Sequence, residues 1–206
     1  MTITLNDIGK RFQRYKIFGN FNYTFQGGGR YALLGSNGSG KSTLLRVIAG
    51  IQTPSKGTVA YTDDAGQTIG STSIFNHIGF CAPGMELVEE LTLNEFLTFH
   101  FSFKPLLPGV TIAGIIETIG LSQAASKPIG EYSSGMKQRV KLAQAIFADT
   151  PILLLDEPCT NLDQHGVNQY TAWINQFGST RTIIVASNDP REYFFCDTTI
   201  VVEDYK

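Results

Sequence analysis

No part of the 206-residue sequence approaches the roughly 18 consecutive apolar residues that a membrane-spanning helix needs. Residues 1–7 have neither the basic start nor the apolar centre of a secretion signal. The formal net charge is −2 and no long run of Lys and Arg occurs, which does not favour a general nucleic-acid-binding protein. The three cysteines, Cys81, Cys159 and Cys196, are odd in number and lack metal-site spacing, which fits a reducing compartment better than a disulfide framework. Any association with a membrane is therefore expected to come through a partner.

The bulk composition is that of one globular domain. Hydrophobic residues make up 42% of the chain and charged residues 17%, which is enough apolar material for a single core. No internal repeat or low-complexity linker is visible. Since the chain ends soon after its last predicted strand, we expect one domain over residues 1–206, without an appended regulatory domain.

The order of the predicted elements indicates an α/β fold. Short β-branched and aromatic runs, separated by Gly and Asp turns, make the first part β-rich. Apolar residues at helical spacing, interrupted by Pro105 and Pro108, predict a helical insert within residues 92–148. After Pro151 strands and helices alternate, which predicts a largely parallel sheet. The predicted strands are residues 3–5, 21–25, 31–34, 58–61, 78–80, 152–155, 182–186 and 199–202, and two predicted helices are residues 164–177 and 190–194.

A nucleotide-binding motif follows the predicted strand at residues 31–34. Residues 35–43 (GSNGSGKST) match the G-x-x-x-x-G-K-[ST] pattern of a phosphate loop. The glycines let backbone N–H groups turn toward a polyphosphate, and the helix that begins near Lys41 adds its positive dipole end. Lys41 is expected to reach the β- and γ-phosphates and Ser42 to ligate Mg²⁺, the alternative being a plain Gly/Ser turn between a strand and a helix. The expected nucleotide-binding residues of this phosphate loop are Gly35, Ser36, Asn37, Gly38, Ser39, Gly40, Lys41, Ser42 and Thr43.

Two further motifs decide the class of nucleotide-binding protein. Residues 131–139 read EYSSGMKQR, and residues 152–163 read ILLLDEPCTNLD. In this order after the phosphate loop, they resemble the ATP-binding subunits of ABC transporters, and the resemblance extends over nearly the whole chain. It implies a P-loop NTPase of the ABC-ATPase fold, with an antiparallel β subdomain and a helical subdomain at approximately residues 84–150. It also implies ATP and Mg²⁺ as cofactors.

The resemblance assigns roles to the acidic residues at and after the end of the apolar strand. Asp156 is placed to bind Mg²⁺ directly or through water, and Glu157 to polarise the attacking water. For each of these two, the alternative is a strand-terminal acid that caps the next helix. Asp163 resembles a residue that touches a second copy of the subunit, and it also suits the N-cap of the following helix.

A second phosphate-binding element is expected at Ser133, Ser134 and Gly135. These residues precede a basic helix, so hydroxyls and backbone donors converge on an anion at its N-terminus. In the resembled family this anion is the γ-phosphate of ATP bound by the other subunit. The resemblance therefore implies a head-to-tail homodimer with composite sites. Taken in isolation, the same residues are a Ser/Gly turn before a basic helix.

Two positions depart from the family pattern. Pro83 stands where a glutamine normally senses magnesium and couples to the membrane partner, and Asn188 stands where a histidine normally holds the γ-phosphate. Asparagine can donate a hydrogen bond but carries no positive charge, so we expect Asn188 to act in catalysis as a weaker donor and hydrolysis to be slow. Phe12 or Tyr15 is expected to stack on the adenine, with a core or β-surface role as the equal alternative.

The motifs together predict an ATP-binding and ATP-hydrolysing subunit that dimerises around ATP. It is expected to drive a separate membrane-spanning transporter subunit from the cytoplasmic face of the cell membrane. One alternative is a nucleotide-dependent binding module with weak hydrolysis, and another is a soluble ABC ATPase that does not transport, although no nucleic-acid partner is expected. An aromatic stripe in the helical insert suits either core packing or the membrane partner's groove, and it consists of Phe96, Phe99, Phe101 and Phe103.

Overall fold

The fold comprises two sheets and a set of helices, and the computed structural model describes residues 1–206. The strands are β1 Thr2–Phe12, β2 Tyr15–Phe25, β3 Arg30–Leu34, β4 Lys56–Thr62, β5 Thr68–Ile69, β6 Ile78–Cys81, β7 Ile152–Asp156, β8 Thr182–Ala186 and β9 Thr198–Val201. The helices are α1 Lys41–Ile48, α2 Leu93–Phe103, α3 Ile112–Thr118, α4 Ser134–Ile146, α5 Gln164–Phe177 and α6 Pro190–Tyr193. Short 3₁₀ turns occur at Ile74–His77, Ser122–Ala124, Ile129–Glu131 and Val202–Tyr205.

The antiparallel sheet has the strand order β2-β1-β4-β5, and its first hairpin is longer than the sequence indicates. The strand predicted at residues 3–5 is an 11-residue strand that reaches Phe12, and the strand predicted at residues 21–25 begins already at Tyr15. The pairing of the added parts shifts register three times between Leu5 and Arg11, so these segments lack the regular apolar alternation on which strand prediction depends. They pair with each other, Phe12 opposite Tyr15 and Arg11 opposite Lys16. Cross-strand pairing therefore sets the length of this hairpin.

The parallel sheet brings three loops to one edge. Its strand order is β6-β7-β8-β3-β9, and every residue of β7 and β8 is buried, as is typical of parallel strands covered on both faces. Because β7, β8 and β3 are neighbours, the residues that follow their carboxyl ends lie side by side. These residues are the phosphate loop after β3, Glu157 after β7 and Ser187 after β8. Ligands of open α/β sheets bind at this edge.

The helices between β6 and β7 pack separately from the hairpin. A capping box begins α2: the Thr92 N–H donates to the Glu95 carboxylate at 2.9 Å. The helix ends before Pro105, since the preceding Lys104 is extended, as a residue before proline prefers. These helices and α5 surround a cluster of 27 buried residues. None of the helices combines the length and the apolar character required to cross a bilayer.

The aromatic stripe of α2 is divided between core and surface. Phe96 is buried and Phe101 packs half-buried against the core cluster. Phe99 and Phe103 are 53% and 66% exposed, and they contact each other edge to face with ring centroids 5.1 Å apart. Half of the stripe therefore packs in the core, and the other half forms an exposed aromatic pair.

Gly79→Ala in β6 is expected to lower the free energy of unfolding by about 1–3 kcal/mol, the usual cost of overpacking a core. A Cβ at residue 79 would collide with the backbone carbonyl of Ala145 in α4. Chemical denaturation measures the loss. The matched control is Gly70→Ala, where the new Cβ would have no neighbour closer than 3.7 Å. Equal stability of the two variants would contradict close packing of α4 on β6.

Candidate active site

The phosphate loop lies between β3 and α1 and is wound around its own lysine. Lys41 is buried, and its Nζ donates to the carbonyls of Gly35 at 2.6 Å and Ser36 at 3.2 Å. Gly40, with a φ of 107°, is the N-cap of α1, and a Cβ there would lie 2.6 Å from the Ile17 side chain. No side chain caps the first N–H groups of α1. These groups and the Lys41 ammonium are therefore positioned to bind an anion.

Ser42 and Asp156 form a hydroxyl–carboxylate pair beside the loop. Ser42 Oγ donates to Asp156 Oδ1 at 2.8 Å, which joins residues 114 positions apart in sequence. Asp156 is 3% exposed; burial raises the pKa of its carboxyl, and the hydrogen bond from Ser42 lowers it. Mg²⁺ prefers oxygen ligands, and in nucleotide sites it takes few protein ligands together with phosphate oxygens and water. The two residues fit the predicted magnesium site.

Glu157 faces the same pocket from the end of β7. Its side chain is exposed, and its carboxylate receives only a long contact from Thr160 Oγ1 at 3.5 Å. Its φ of 43° is left-handed, and its N–H donates to the Ala186 carbonyl at 2.9 Å, so the end of β8 supports this turn. The carboxylate is therefore open to a ligand in the pocket. The pocket has a volume of about 360 Å³ and is lined by Ile17, Asn37, Gly38, Gly40, Lys41, Ser42, Thr43 and Glu157.

Asn188 contacts the phosphate loop from the loop that follows β8. Its side chain is exposed, and its Nδ2 donates to Oδ1 of Asn37 at 3.4 Å. The next residue, Asp189, instead caps α6 by accepting a hydrogen bond from the Arg191 N–H at 3.0 Å. Asn188 is thus a residue of this loop that contacts the phosphate loop.

A second polar surface lies where α4 begins. Ser133 caps α4 by accepting from the Met136 N–H at 3.3 Å. Gly135 abuts the loop after β7, since a Cβ there would be 3.0 Å from the Asn161 carbonyl. Asp163 accepts from the Gly166 N–H at 2.8 Å, so its N-cap role is present. Ser133, Ser134, Gly135, Asn161 and Asp163 line one cavity of about 290 Å³, which shares no residue with the phosphate-loop pocket.

The loop after β6 is tied to α4 by two lysines. Lys141 Nζ donates to the Pro83 carbonyl at 2.8 Å, and Lys137 pairs with Glu89 at 2.5 Å. Where the family has a glutamine side chain, this chain therefore offers the backbone carbonyl of Pro83, and that carbonyl already accepts a hydrogen bond from the Lys141 ammonium.

Phe12 and Tyr15 lie at the tip of the β1–β2 hairpin. They are 47% and 77% exposed, and neither lines the phosphate-loop pocket. Lys10 lies over the Phe12 ring, with Nζ 5.2 Å from its centroid. The hairpin residue that does line the pocket is Ile17, which sequence reasoning missed because it lies outside any predicted strand.

Glu203 is a further contact of the phosphate loop that no motif indicates. Its Oε1 accepts from the Ser36 N–H at 2.7 Å and from the Ser36 hydroxyl, and these bonds lower the pKa of Glu203. Glu203 belongs to the 3₁₀ turn after β9, whose Tyr205 ring lies on Phe21 with centroids 4.0 Å apart. The turn after β9 thereby supports the start of the phosphate loop.

A phosphate loop after β3 converges with the buried Asp156 and the exposed Glu157 at the end of β7, with β8 between the two strands, and this is the arrangement of a P-loop nucleotide-binding protein. A family model described as ABC transporter matches residues 18–160. The chain therefore belongs to the ABC transporter family as an ATP-binding cassette, which confirms the class of ATPase that the motifs predict.

Individual relatives differ in how much of their length this chain matches. It is 30% identical over 200 residues to the uncharacterized ABC transporter ATP-binding protein YybJ of Bacillus subtilis (strain 168), which covers 96% of this chain and 91% of YybJ. It is 32% identical over 211 residues to the sulfate/thiosulfate import ATP-binding protein CysA of Mesostigma viride, covering 98% of this chain but 59% of CysA. The dimeric structure of MJ0796, a bacterial ABC transporter cassette, has a TM-score of 0.79 at 23% identity, covering 98% of this chain and 95% of that chain. This structural likeness confirms the predicted α/β fold.

Lys41→Ala is expected to weaken ATP binding at least about 10-fold, since a hydrogen bond to a charged group contributes roughly 1.5–3 kcal/mol. Titration calorimetry without magnesium measures the affinity while excluding turnover. The control is Lys127→Ala, which removes an exposed lysine away from the phosphate-loop pocket. Equal ATP affinity of the two variants would remove Lys41 from the site.

Proposed function

We propose that this chain hydrolyses ATP at a composite site formed by two copies and thereby drives a separate membrane-spanning transporter subunit. The observation that carries the proposal is the hydrogen bond from Ser42 to Asp156. Lys41, Ser42 and Glu157 line one pocket, and this bond connects Asp156 to it, so that residues with the chemistry of phosphoryl transfer come together from two strand ends.

Within one chain, each pocket residue has a role that its position supports. Lys41 exchanges the carbonyls of its own loop for β- and γ-phosphate oxygens, which keeps its ammonium fully hydrogen-bonded. Ser42 and Asp156 hold magnesium, which when bound neutralises charge on the phosphates. Glu157 orients and polarises the attacking water, since its carboxylate is exposed at the pocket. Asn188 donates to the γ-phosphate in place of its contact with Asn37.

The second half of the composite site is the surface around Ser133 and Gly135. It lies apart from the phosphate loop of the same chain, so its donors serve an ATP molecule bound by another copy. Ser133, Ser134 and Gly135 would contact that γ-phosphate, with Asp163 and its neighbours at the subunit boundary. Because each copy supplies both halves, a head-to-tail homodimer completes two sites at once.

The membrane partner is a separate subunit, and the chain works at the cytoplasmic face of the membrane through it. The exposed Phe99–Phe103 pair on α2 supports this proposal, since exposed aromatic side chains suit a protein contact. The domain organisation proposed with it is one cassette over residues 1–206, with the helical subdomain at approximately 84–150.

Glu157→Gln is expected to retain ATP binding and to lose hydrolysis, because glutamine keeps the shape of the side chain but cannot polarise water as a carboxylate does. The ATP-bound form then accumulates as a dimer, which light scattering measures at saturating magnesium–ATP. Glu117→Gln, an exposed glutamate of α3, is the control and should hydrolyse ATP as the parent does. A Glu157→Gln chain that turns over ATP at the parent rate, or stays monomeric, would contradict the composite site.

Asn188→His is expected to raise kcat several-fold and Asn188→Ala to lower it, with little change in ATP affinity. Losing a hydrogen-bond donor to the charge that develops in the transition state typically lowers the rate by roughly 10²–10³. A weak neutral donor such as asparagine should therefore give a kcat between those of the alanine and histidine variants. Steady-state phosphate release measures kcat, and Asn76→His at an exposed position is the control for an added histidine. A histidine variant no faster than the parent, with an alanine variant no slower, places Asn188 outside the chemical step.

A further inference from the structure

Glu192 is a buried carboxylate with no role in the mechanism described above. It lies in α6 and is 4% exposed. Its Oε1 accepts from the Cys159 N–H at 2.6 Å. Burial raises the pKa of the carboxyl, while the hydrogen bonds from Ser187 and Cys159 lower it. A buried carboxylate is costly unless donors surround it, so these two partners stabilise Glu192 in place.

The two partners belong to the two loops that carry the reaction. Cys159 comes two residues after Glu157, and Ser187 directly precedes Asn188. These loops leave different strands, β7 and β8. Glu192 lies on α6, which directly follows the second loop, and its carboxylate binds the Cys159 N–H of the first. Glu192 therefore links the loop of Glu157 to the loop of Asn188.

The backbone of Glu192 is fixed independently of its carboxylate. Tyr170 of α5 is fully buried, and its hydroxyl donates to the Glu192 carbonyl at 2.7 Å. The N–H of Asp189 donates to Ser187 Oγ at 2.9 Å, and the Glu192 N–H donates to the Asp189 carbonyl at 2.9 Å, which ties α6 to the loop after β8. Tyr170 thus holds α6 in position, whereas the side chain of Glu192 acts on the loops.

The loop that Glu192 contacts contains two residues in a strained conformation. Glu157 and Asn161 have φ values of 43° and 64°, and Cys159 lies between them. Non-glycine residues keep such values only when their surroundings determine them. Without the carboxylate, the buried Cys159 N–H loses its acceptor, and the turn that orients Glu157 loses one of its restraints.

We propose that Glu192 is a positioning residue that sets the distance between Glu157 and Asn188 during ATP hydrolysis. It does not line the phosphate-loop pocket, and it acts through the Cys159 N–H and through the loop after β8, which its own helix directly follows. The proposal rests on the proposed function, since it concerns the same reaction. A misplacement of about 1 Å in a catalytic group can cost roughly 10²-fold in rate, so a link of this kind matters more for turnover than for binding.

The test compares Glu192→Ala, Glu192→Gln and Tyr170→Phe in the full chain. Glu192→Ala is expected to lower kcat about 10- to 100-fold while ATP affinity without magnesium stays within about 2-fold. Glu192→Gln keeps one oxygen acceptor for the Cys159 N–H, so it should lower kcat several-fold, less than alanine does. Tyr170→Phe is the matched control: it removes a buried hydrogen bond to the same residue but leaves the carboxylate link intact.

A double variant separates positioning from a general loss of stability. If Glu192 acts by placing Asn188 and Glu157, the loss of kcat caused by Asn188→Ala should shrink in the Glu192→Ala background. Fully additive losses overturn the proposal. So does a Tyr170→Phe variant that is as slow as Glu192→Ala, or a Glu192→Ala variant whose ATP affinity falls in step with kcat.

Two further outcomes are also decisive. If Glu192→Ala does not fold, Glu192→Gln and its double variant with Asn188→Ala replace it, and an unchanged kcat in Glu192→Gln overturns the proposal. A parent chain without Glu157-dependent hydrolysis would overturn the proposed function and this role together. If the parent hydrolyses ATP in a Glu157-dependent way but the Glu192 variants keep the parent kcat, only the positioning role of Glu192 is overturned.

Discussion

The hydrogen bond between Ser42 and Asp156 ties the two halves of the nucleotide pocket together. Asp156 is buried at the end of a strand with five buried residues, so its carboxylate needs a donor or a cation. The donor available is on the first turn of α1, whose position depends on how the phosphate loop leaves β3. Since β8 separates β3 from β7, the pair also requires that these three strands stay in register. The site therefore depends on the sheet as a whole.

Local sequence predicted the parts of the site that local physics determines. The phosphate loop requires glycine at Gly40, where φ is 107° and a Cβ would contact Ile17, and such a requirement leaves a readable pattern. Buried parallel strands leave uninterrupted apolar runs, so β7 and β8 were also recognisable, together with Asp156 at the end of β7 and Glu157 directly after it. In each case the residue type follows from the conformation of its own segment.

Contacts between distant segments left no such pattern. The outer half of the hairpin of β1 and β2 is maintained by backbone pairing with several register shifts, so it was not predicted and Ile17 was missed with it. Lys141 and Glu203 each bind a backbone group, the Pro83 carbonyl and the Ser36 N–H, and any segment offers these groups. A side chain that recognises backbone requires no particular residue type opposite it. Such partners can be identified only from the three-dimensional structure.

The two departures from the family pattern leave the phosphate loop itself unchanged. The N–H groups that begin α1 are free of side-chain caps and the Lys41 ammonium lies beside them, so in the proposed function ATP binding would rest on groups that this chain retains. In the proposed function, Asn188 replaces a histidine at the reacting end of the nucleotide, where charge develops only as the bond breaks. Its effect would therefore fall on the rate of the chemical step. At Pro83 the chain replaces a movable side chain with a carbonyl held by Lys141 on α4, the helix that also presents Ser133 and Gly135. In the proposed dimer, α4 would therefore connect Ser133 and Gly135 directly to the loop after β6.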